Sequence, residues 1–354
     1  MLVISGWAVT SPYGLGREPF AAGLRSGGSA LSPLDGGVAG AGYESAGLIP
    51  GFDARTVLGR KGTRSMDRAT AIAAATVGLL LDEYGAGLDA APEETGLVLG
   101  TSGSVQSIMD FTESALTGDK PYLVDPARFP NTVMNCPAGQ SAIRHTLKGP
   151  NVTVSGGAVT GLLAVNYGSR LLRAGRARAL AVGAVEEFSE QRARLEWAAD
   201  HGGELPWPPA EGAALFLLEE EADARAAGRD PIAEVIGSRF RAFTDPARAG
   251  EALEACVADV LNAAGSWAEH IACVAPSCPP GRLGKQELQA LEGLGAPRVE
   301  VRPLIGDATA AAAAFQLAAV LAGAAADPSA AGRPALVTAV DRDGTVGATL
   351  LRPL

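Results

Sequence analysis

Residues 149–187 are GPNVTVSGGAVTGLLAVNYGSRLLRAGRARALAVGAVEE. A Gly-Pro pair precedes Asn151, Val152, Thr153 and Val154, a β-branched run that suits a strand. Ser155, Gly156 and Gly157 signal a sharp turn. Helical spacing of apolar residues then predicts a helix over 159–174, followed by a second strand at 179–182. Strand, turn, helix and strand in that order make one β/α unit of a largely parallel sheet.

The pattern repeats on both sides of this unit. Further strands are predicted at 2–7, 95–99, 213–218, 232–238, 270–275 and 334–340, and further helices at 66–84, 105–116, 249–264 and 308–322. Apolar strand pairs close two successive runs, the first beginning near 179–185 and the second near 335–351. Between them, EGAALFLLEEEADARAAGRDPIAEVIGSRF at 211–240 reads as strand, polar Gly-Arg-Asp-Pro turn and strand, a connecting hairpin. A hydrophobic content of 47% with 45 glycines among 354 residues, and no linker-like break, predicts one large two-lobed body with closely packed helices.

Charge and composition exclude several classes of function. The net charge of −10 argues against nucleic acid and against an anionic membrane surface. Cys136, Cys256, Cys273 and Cys278 are not bracketed by His145, His201 and His270 at zinc-ligand spacing, so no metal is expected and the thiols read as structural ones in a reducing cytoplasm. MLVISGWAVTSPYG opens directly as a strand without the features of a secretory leader, and the alanine-rich run at 308–326 reads as a buried core helix. One basic cluster stands against the acidic balance. In LGRKGTRSMDRA at 58–69, Arg60, Lys61, Arg64 and Arg68 lie at spacings that a helix would gather.

The 149–187 stretch resembles the nucleophile segment of the β-ketoacyl synthase (ketosynthase) family. MLVISGWAVTSPYGLG is similar to that family's opening strand and turn, FPNTVMNCPAGQSAIRHTLKGP to the lead into the nucleophile, and EGAALFLLEE to the strand after it. The resemblance implies the thiolase fold, an α/β body of five layers, α-β-α-β-α, built from two pseudo-equivalent halves at 1–220 and 221–354. It also locates the catalytic positions, and each is changed. Ala158 falls where the family's cysteine attacks the thioester, and alanine has no nucleophile. VAPSCPPGRLGKQE puts Pro276 at the first histidine. RPLIGDATAAAAAF puts Arg302 at the family's lysine and Asp307 at its second histidine, an acceptor-only anion where a hydrogen-bond donor is needed. VDRDGTVG replaces the gating Phe-Gly-Phe-Gly-Gly loop, with Arg342 at the gating aromatic and Asp341 and Asp343 at two glycines.

Catalytically empty relatives in this family are the chain-length factors of type II polyketide synthases, and the chain is most similar to these. Such a subunit pairs with an active ketosynthase and shapes the tunnel for its growing chain. The acyl group arrives on the phosphopantetheine of an acyl carrier protein, and no cofactor of its own is implied. Alanine in place of the glutamine usual at position 158, together with the short chain, points to a divergent branch such as the polyene or aryl-polyene synthases. In SVQSIMDFTESAL, Met109, Thr112 and Leu116 share a helical face and are expected to wall the tunnel. Asn151 to Val154 is expected to pair across the dimer axis, with Val152 supplying a pairing donor, and Arg60, Lys61 and Arg64 to make a carrier contact. Two other readings stay open: an acyltransferase or thioesterase using a relocated nucleophile such as Ser155 or a cysteine, and a free-standing acyl-binding homodimer.

Overall fold

The structure, a computed structural model, describes residues 1–117, 120, 122–199, 204–265 and 270–354; His201 lies outside them. In chain order the principal elements are β1 (Leu2–Ser11), α1 (Arg17–Ser26), α2 (Arg68–Tyr84), β2 (Thr95–Gly100), α3 (Val105–Thr117), α4 (Cys136–His145), β3 (Asn151–Val154), α5 (Thr160–Arg173), β4 (Ala179–Glu186), α6 (Glu190–Ala198), β5 (Gly212–Glu220), β6 (Ala233–Ala242), α7 (Ala249–Ala264), β7 (Cys273–Ala275), α8 (Gly281–Leu291), α9 (Ala312–Ala326), β8 (Ala335–Asp341) and β9 (Thr345–Pro353).

The strand order exposes a repetition that residue identities conceal. Hydrogen-bonded neighbours run β3-β2-β4-β5-β1 through the first part of the chain and β7-β8-β9-β6 through the second. In each set the pairs toward the outer end are parallel, and the two pairs nearest β1 or β6 are antiparallel. β6 thus corresponds to β1, β7 to β2, β8 to β4 and β9 to β5. A counterpart of β3 survives as a bridge between Val274 and Arg298. The two sets touch where Val3 and Ile4 pair with Glu234 and Ala233.

Side-chain alternation along these strands produces the layers. On the outer face of the first set, Leu97, Leu99, Leu215 and Leu217 pack under Ile72, Val77 and Leu80 of α2 and Ala138 of α4. The opposite face, with Val98, Val182, Phe216 and Leu218, meets α5 and α9, which also receive Val235, Val337 and Leu351 from the second set. Outside the second set, Leu253, Val257 and Val260 of α7 and Leu291 of α8 cover Leu336, Val346 and Leu350. This is the five-layered thiolase arrangement. α9 is apolar all round, Gln316 apart, because residues 313–322 are buried; its last turn reaches the surface. Among the described residues one helical run, Thr309–Ala326, is long and apolar enough to cross a membrane, and it is this mostly buried core segment. At its crossing with α5, a Cβ on Gly161 would lie 2.5 Å from the Ala314 nitrogen, so glycine lets the two backbones meet.

Several expectations need correction. The proposed hairpin at 211–240 does not form: β5 and β6 are separated by β1, and a short helix, Glu221–Ala226, occupies the connection. The last core helix begins at Ala312 rather than 308, because a 3-10 turn, Thr309–Ala311, precedes it. The basic cluster is not helical, since Arg60, Lys61 and Arg64 sit in an exposed loop after a helix that ends at Leu58. Arg68 leaves the cluster altogether. It opens α2 and pairs through two nitrogens with the fully buried carboxylate of Glu211.

Candidate functional site

β3 delivers the chain to a turn at which Gly157 takes φ +56°, the left-handed region that favours glycine. Thr160 holds the turn, its hydroxyl donating to the Gly157 carbonyl (2.7 Å) and accepting from the Gly156 N–H (2.9 Å). Ala158 follows, buried, with its methyl group at the start of the long core helix. Its N–H donates to Oδ2 of Asp341 at 2.6 Å, and the other carboxylate oxygen accepts from the Asp343 N–H at 2.9 Å. A Cβ on Gly157 would fall 1.9 Å from Asp341 Oδ2, so glycine is required here on steric grounds as well. Burial pushes the Asp341 carboxyl up, and the hydrogen bonds from Ala158 and Asp343 pull it back in part.

The other altered positions lie along two crevices and the loop that follows Asp341. Pro276 follows β7 and lines a crevice with Ser277, Arg302, Gly306, Phe315 and Gln316. Arg302 is almost wholly buried and lies 3.5 Å from Oδ1 of Asp307. That oxygen also accepts from the Thr309 N–H at 2.8 Å. Burial pushes Asp307 up, but Arg302, the Thr309 amide, Arg192 and Arg342 outweigh it and hold the carboxyl below its ordinary value. Asp307 therefore remains an anion at neutral pH, unable to donate to an enolate. Arg342 makes a two-nitrogen contact, at 2.7 and 3.3 Å, with Glu196 of α6, which lines a second crevice. Tyr43, Trp207, Pro280, Asp307 and Thr309 also line that crevice.

Three supporting residues carry no mark in the sequence. Arg192 is buried and donates to the carbonyls of Glu187, Ala210 (3.0 Å) and Asp307 (2.9 Å) and to the Thr309 hydroxyl (3.1 Å), tying α6 to the loop that bears Asp307. Glu287 of α8 is fully buried and accepts from the Ser277 amide (2.9 Å) and hydroxyl (2.8 Å), the Cys278 amide (2.7 Å) and the Thr338 hydroxyl (2.7 Å), which fixes the loop after Pro276. Glu187 accepts from Ser104 (2.9 Å) and the Gln106 amide (3.4 Å) at the start of α3, and burial pushes it up to about 7. No spacing rule finds such residues, because each is defined by partners far away in sequence.

The relocated nucleophiles fare poorly. Burial pushes every thiol up, Cys278 to about 12 with Glu287 adding to the shift and Cys256 to about 11, the opposite of what activates a thiol. Ser155 is exposed, while His145 directs its Nε2 to the Ala74 carbonyl at 2.9 Å. Among the described residues, Met109, Thr112 and Leu116 lie on an open surface and not in the interior. α3 buries none of its residues, and Met109 and Leu116 are 50% and 69% exposed. They belong to a broad apolar surface continued by Tyr122, Phe129, Met134 and Ile143.

That surface adjoins β3, the last strand of its set. Register with β2 puts Val152 opposite Val98. The Pro150 and Val154 carbonyls accept from Leu97 and Thr101, so by alternation the amide of Val152 faces inward to β2 and those of Asn151 and Thr153 face the open edge. The expected role of Val152 as an outward donor is therefore corrected: Thr153 has that orientation.

Two similar sheet sets, a glycine turn after β3 and buried helices between them define a thiolase-fold architecture. The model of the β-ketoacyl synthase N-terminal domain matches residues 1–201, and the chain belongs to that family. Over 345 residues it is 28% identical to the putative polyketide beta-ketoacyl synthase 2 of Streptomyces halstedii, covering 90% of this chain and 82% of that one. A second relative, 3-oxoacyl-[acyl-carrier-protein] synthase 2 of Vibrio cholerae, is 27% identical over 65% of this chain, a match spanning 61% of that protein's length. Among solved structures, the ishigamide ketosynthase/chain length factor superposes with a TM-score of 0.92 at 42% identity, covering 100% of this chain and 99% of that one. A type II polyketide acyl-carrier protein complex with its ketosynthase, AntDE:AntF, contains a chain with TM-score 0.84 at 16% identity, covering 100% of this chain and 99% of that chain, a likeness of fold.

Proposed function

We propose that the chain is a non-condensing, chain-length-factor-type subunit that pairs with an active ketosynthase and shapes the tunnel for a type II polyketide, in a divergent branch such as those that build polyenes or aryl polyenes. The carrying observation is at position 158, where a methyl group stands in place of a nucleophile and the neighbouring amide is bound to the carboxylate of Asp341. Pro276 and Asp307 offer no donor for an enolate. The open edge of β3 and the apolar face of α3 and α4 lie together, as a partner surface requires. The 42% identity with a chain of the ishigamide ketosynthase/chain length factor supports the same assignment.

In this reading 1–220 and 221–354 are the two halves of the subunit, and Asn151, Val152, Thr153 and Val154 form its central interface strand. Met109, Thr112 and Leu116 become tunnel wall once the partner covers them. The acyl carrier protein presents its phosphopantetheine to the partner's cysteine, with Arg60, Lys61 and Arg64 as a secondary contact, and the complex works in the cytoplasm. Two measurements test this. Incubation of the lone chain with an acyl-pantetheine should leave its intact mass unchanged, and coexpression with a cognate ketosynthase should yield a 1:1 complex. A covalent acyl adduct on the lone chain would replace this reading with that of an independent enzyme.

A further inference from the structure

We infer that Asp341 is a built-in anionic plug, and that together with the Arg342–Glu196 contact it keeps carrier-borne thioesters out of this subunit. Amides that follow a left-handed glycine at a helix start are positioned to bind negative charge. In a condensing site such an amide stabilises the oxygen of a thioester under attack. Here the negative charge is supplied by the chain itself: Asp341 Oδ2 lies 2.6 Å from the Ala158 nitrogen, and Asp343 steadies the other oxygen. A thioester oxygen could reach that amide only by displacing a carboxylate held at two points.

A second contact from the same loop stands beside the plug. Arg342, the next residue, spans to Glu196 on α6, so displacing the plug also disturbs this pair. Loss of the cysteine alone would have left a cavity able to hold a pantetheine thioester unproductively. The plug removes that competing site and, resting on the subunit assignment proposed above, commits acyl and malonyl groups to the partner. Asp341 and Arg342 are thus specificity-determining residues that act by exclusion.

A thiol placed at position 158 reports on the plug without any partner or carrier. Ala158→Cys should give a thiol whose pKa is raised by the adjoining carboxylate, since a like charge within about 4–6 Å moves a pKa by roughly 1–3 pH units. In the Ala158→Cys/Asp341→Asn protein, the same-sized neutral side chain should lower that pKa by about one pH unit or more. Alkylation by iodoacetamide near pH 7 should then accelerate about threefold or more, allowing for the weaker nucleophilicity of a more acidic thiol. Peptide mapping separates this site from the four native cysteines. Ala158→Cys/Asp341→Gly should go further and admit an iodoacetyl-pantetheine probe that the single variant excludes. Identical pH–rate profiles for Ala158→Cys with Asp341 and with Asn at 341, in proteins of native circular dichroism, would overturn the plug. Should the glycine variant fail to fold, the asparagine variant decides. Heterodimer formation, measured separately, stands or falls independently of this result.

Discussion

Thr153→Pro is the sharpest test of how the subunit meets its partner. The Thr153 amide faces the open edge of β3, whereas that of Val152 is turned toward β2. Proline at 153 removes one outward donor and pushes its ring against the incoming strand, while leaving the inward amides in place. One lost ladder bond costs about 1 kcal/mol net, and displacing its neighbour about as much again. The sum, about 2 kcal/mol, corresponds to roughly a 30-fold weaker Kd. Val152→Pro is the matched control, since it strikes the ladder within the chain and should lower the thermal midpoint of the isolated subunit. Titration of each variant into a cognate ketosynthase, followed by sedimentation velocity, gives both the stoichiometry and the affinity. Wild-type affinity for a folded Thr153→Pro subunit would falsify the placement of β3 at the interface.

Met109→Ala should lengthen the partner's products with little loss of stability, because Met109 is half exposed in the lone chain; an unchanged product profile from an intact complex would remove it from the tunnel wall. Glu187, pushed from 4.5 to about 7 by burial, contributes stability that is fully present below about pH 4.5 and is lost as pH rises through about 7. That displacement is worth about 3 kcal/mol, so urea denaturation at pH 5 and pH 8.5 should differ less for Glu187→Gln than for the wild type, and equal differences would show that the group is not responsible. Gly161→Ala should destabilise the fold by about 2 kcal/mol through forced separation of α5 and α9. A gain in stability, as helix propensity alone would give, would mean that the two helices do not meet there.

Local patterns determined much of this protein. The β-branched run at 151–154, the glycine turn and the periodic helix after it sufficed to place β3 and α5, and helix α7 begins and ends at its predicted residues. Such signals are legible because hydrophobic period and turn chemistry act over a few neighbouring residues. Resemblance then proposed Ala158, Pro276, Arg302, Asp307 and Arg342; Pro276 and Arg302 line one crevice, Asp307 lines another, and Arg342 follows the residue that binds the Ala158 amide.

What tertiary structure alone decided is how distant segments use one another. The run at 211–240 has the alternation of a hairpin, yet β1 inserts between its strands because burying two antiparallel ladders outweighs one local turn. Arg68 has the spacing of a surface cation and is instead spent on Glu211, 143 residues away. The amide of Val152 faces inward because the register of β3 on β2 sets its direction, and register depends on a strand more than 50 residues upstream. Asp341 reads as a substituted glycine in sequence; its carboxylate becomes a plug because the end of β8 and the start of the core helix meet across 183 residues of chain. That alanine, proline and aspartate stand at positions 158, 276 and 307 is legible in the sequence, since identity is a property of single positions. Only the fold could decide what surrounds them, because that depends on which side chains are brought within hydrogen-bonding reach.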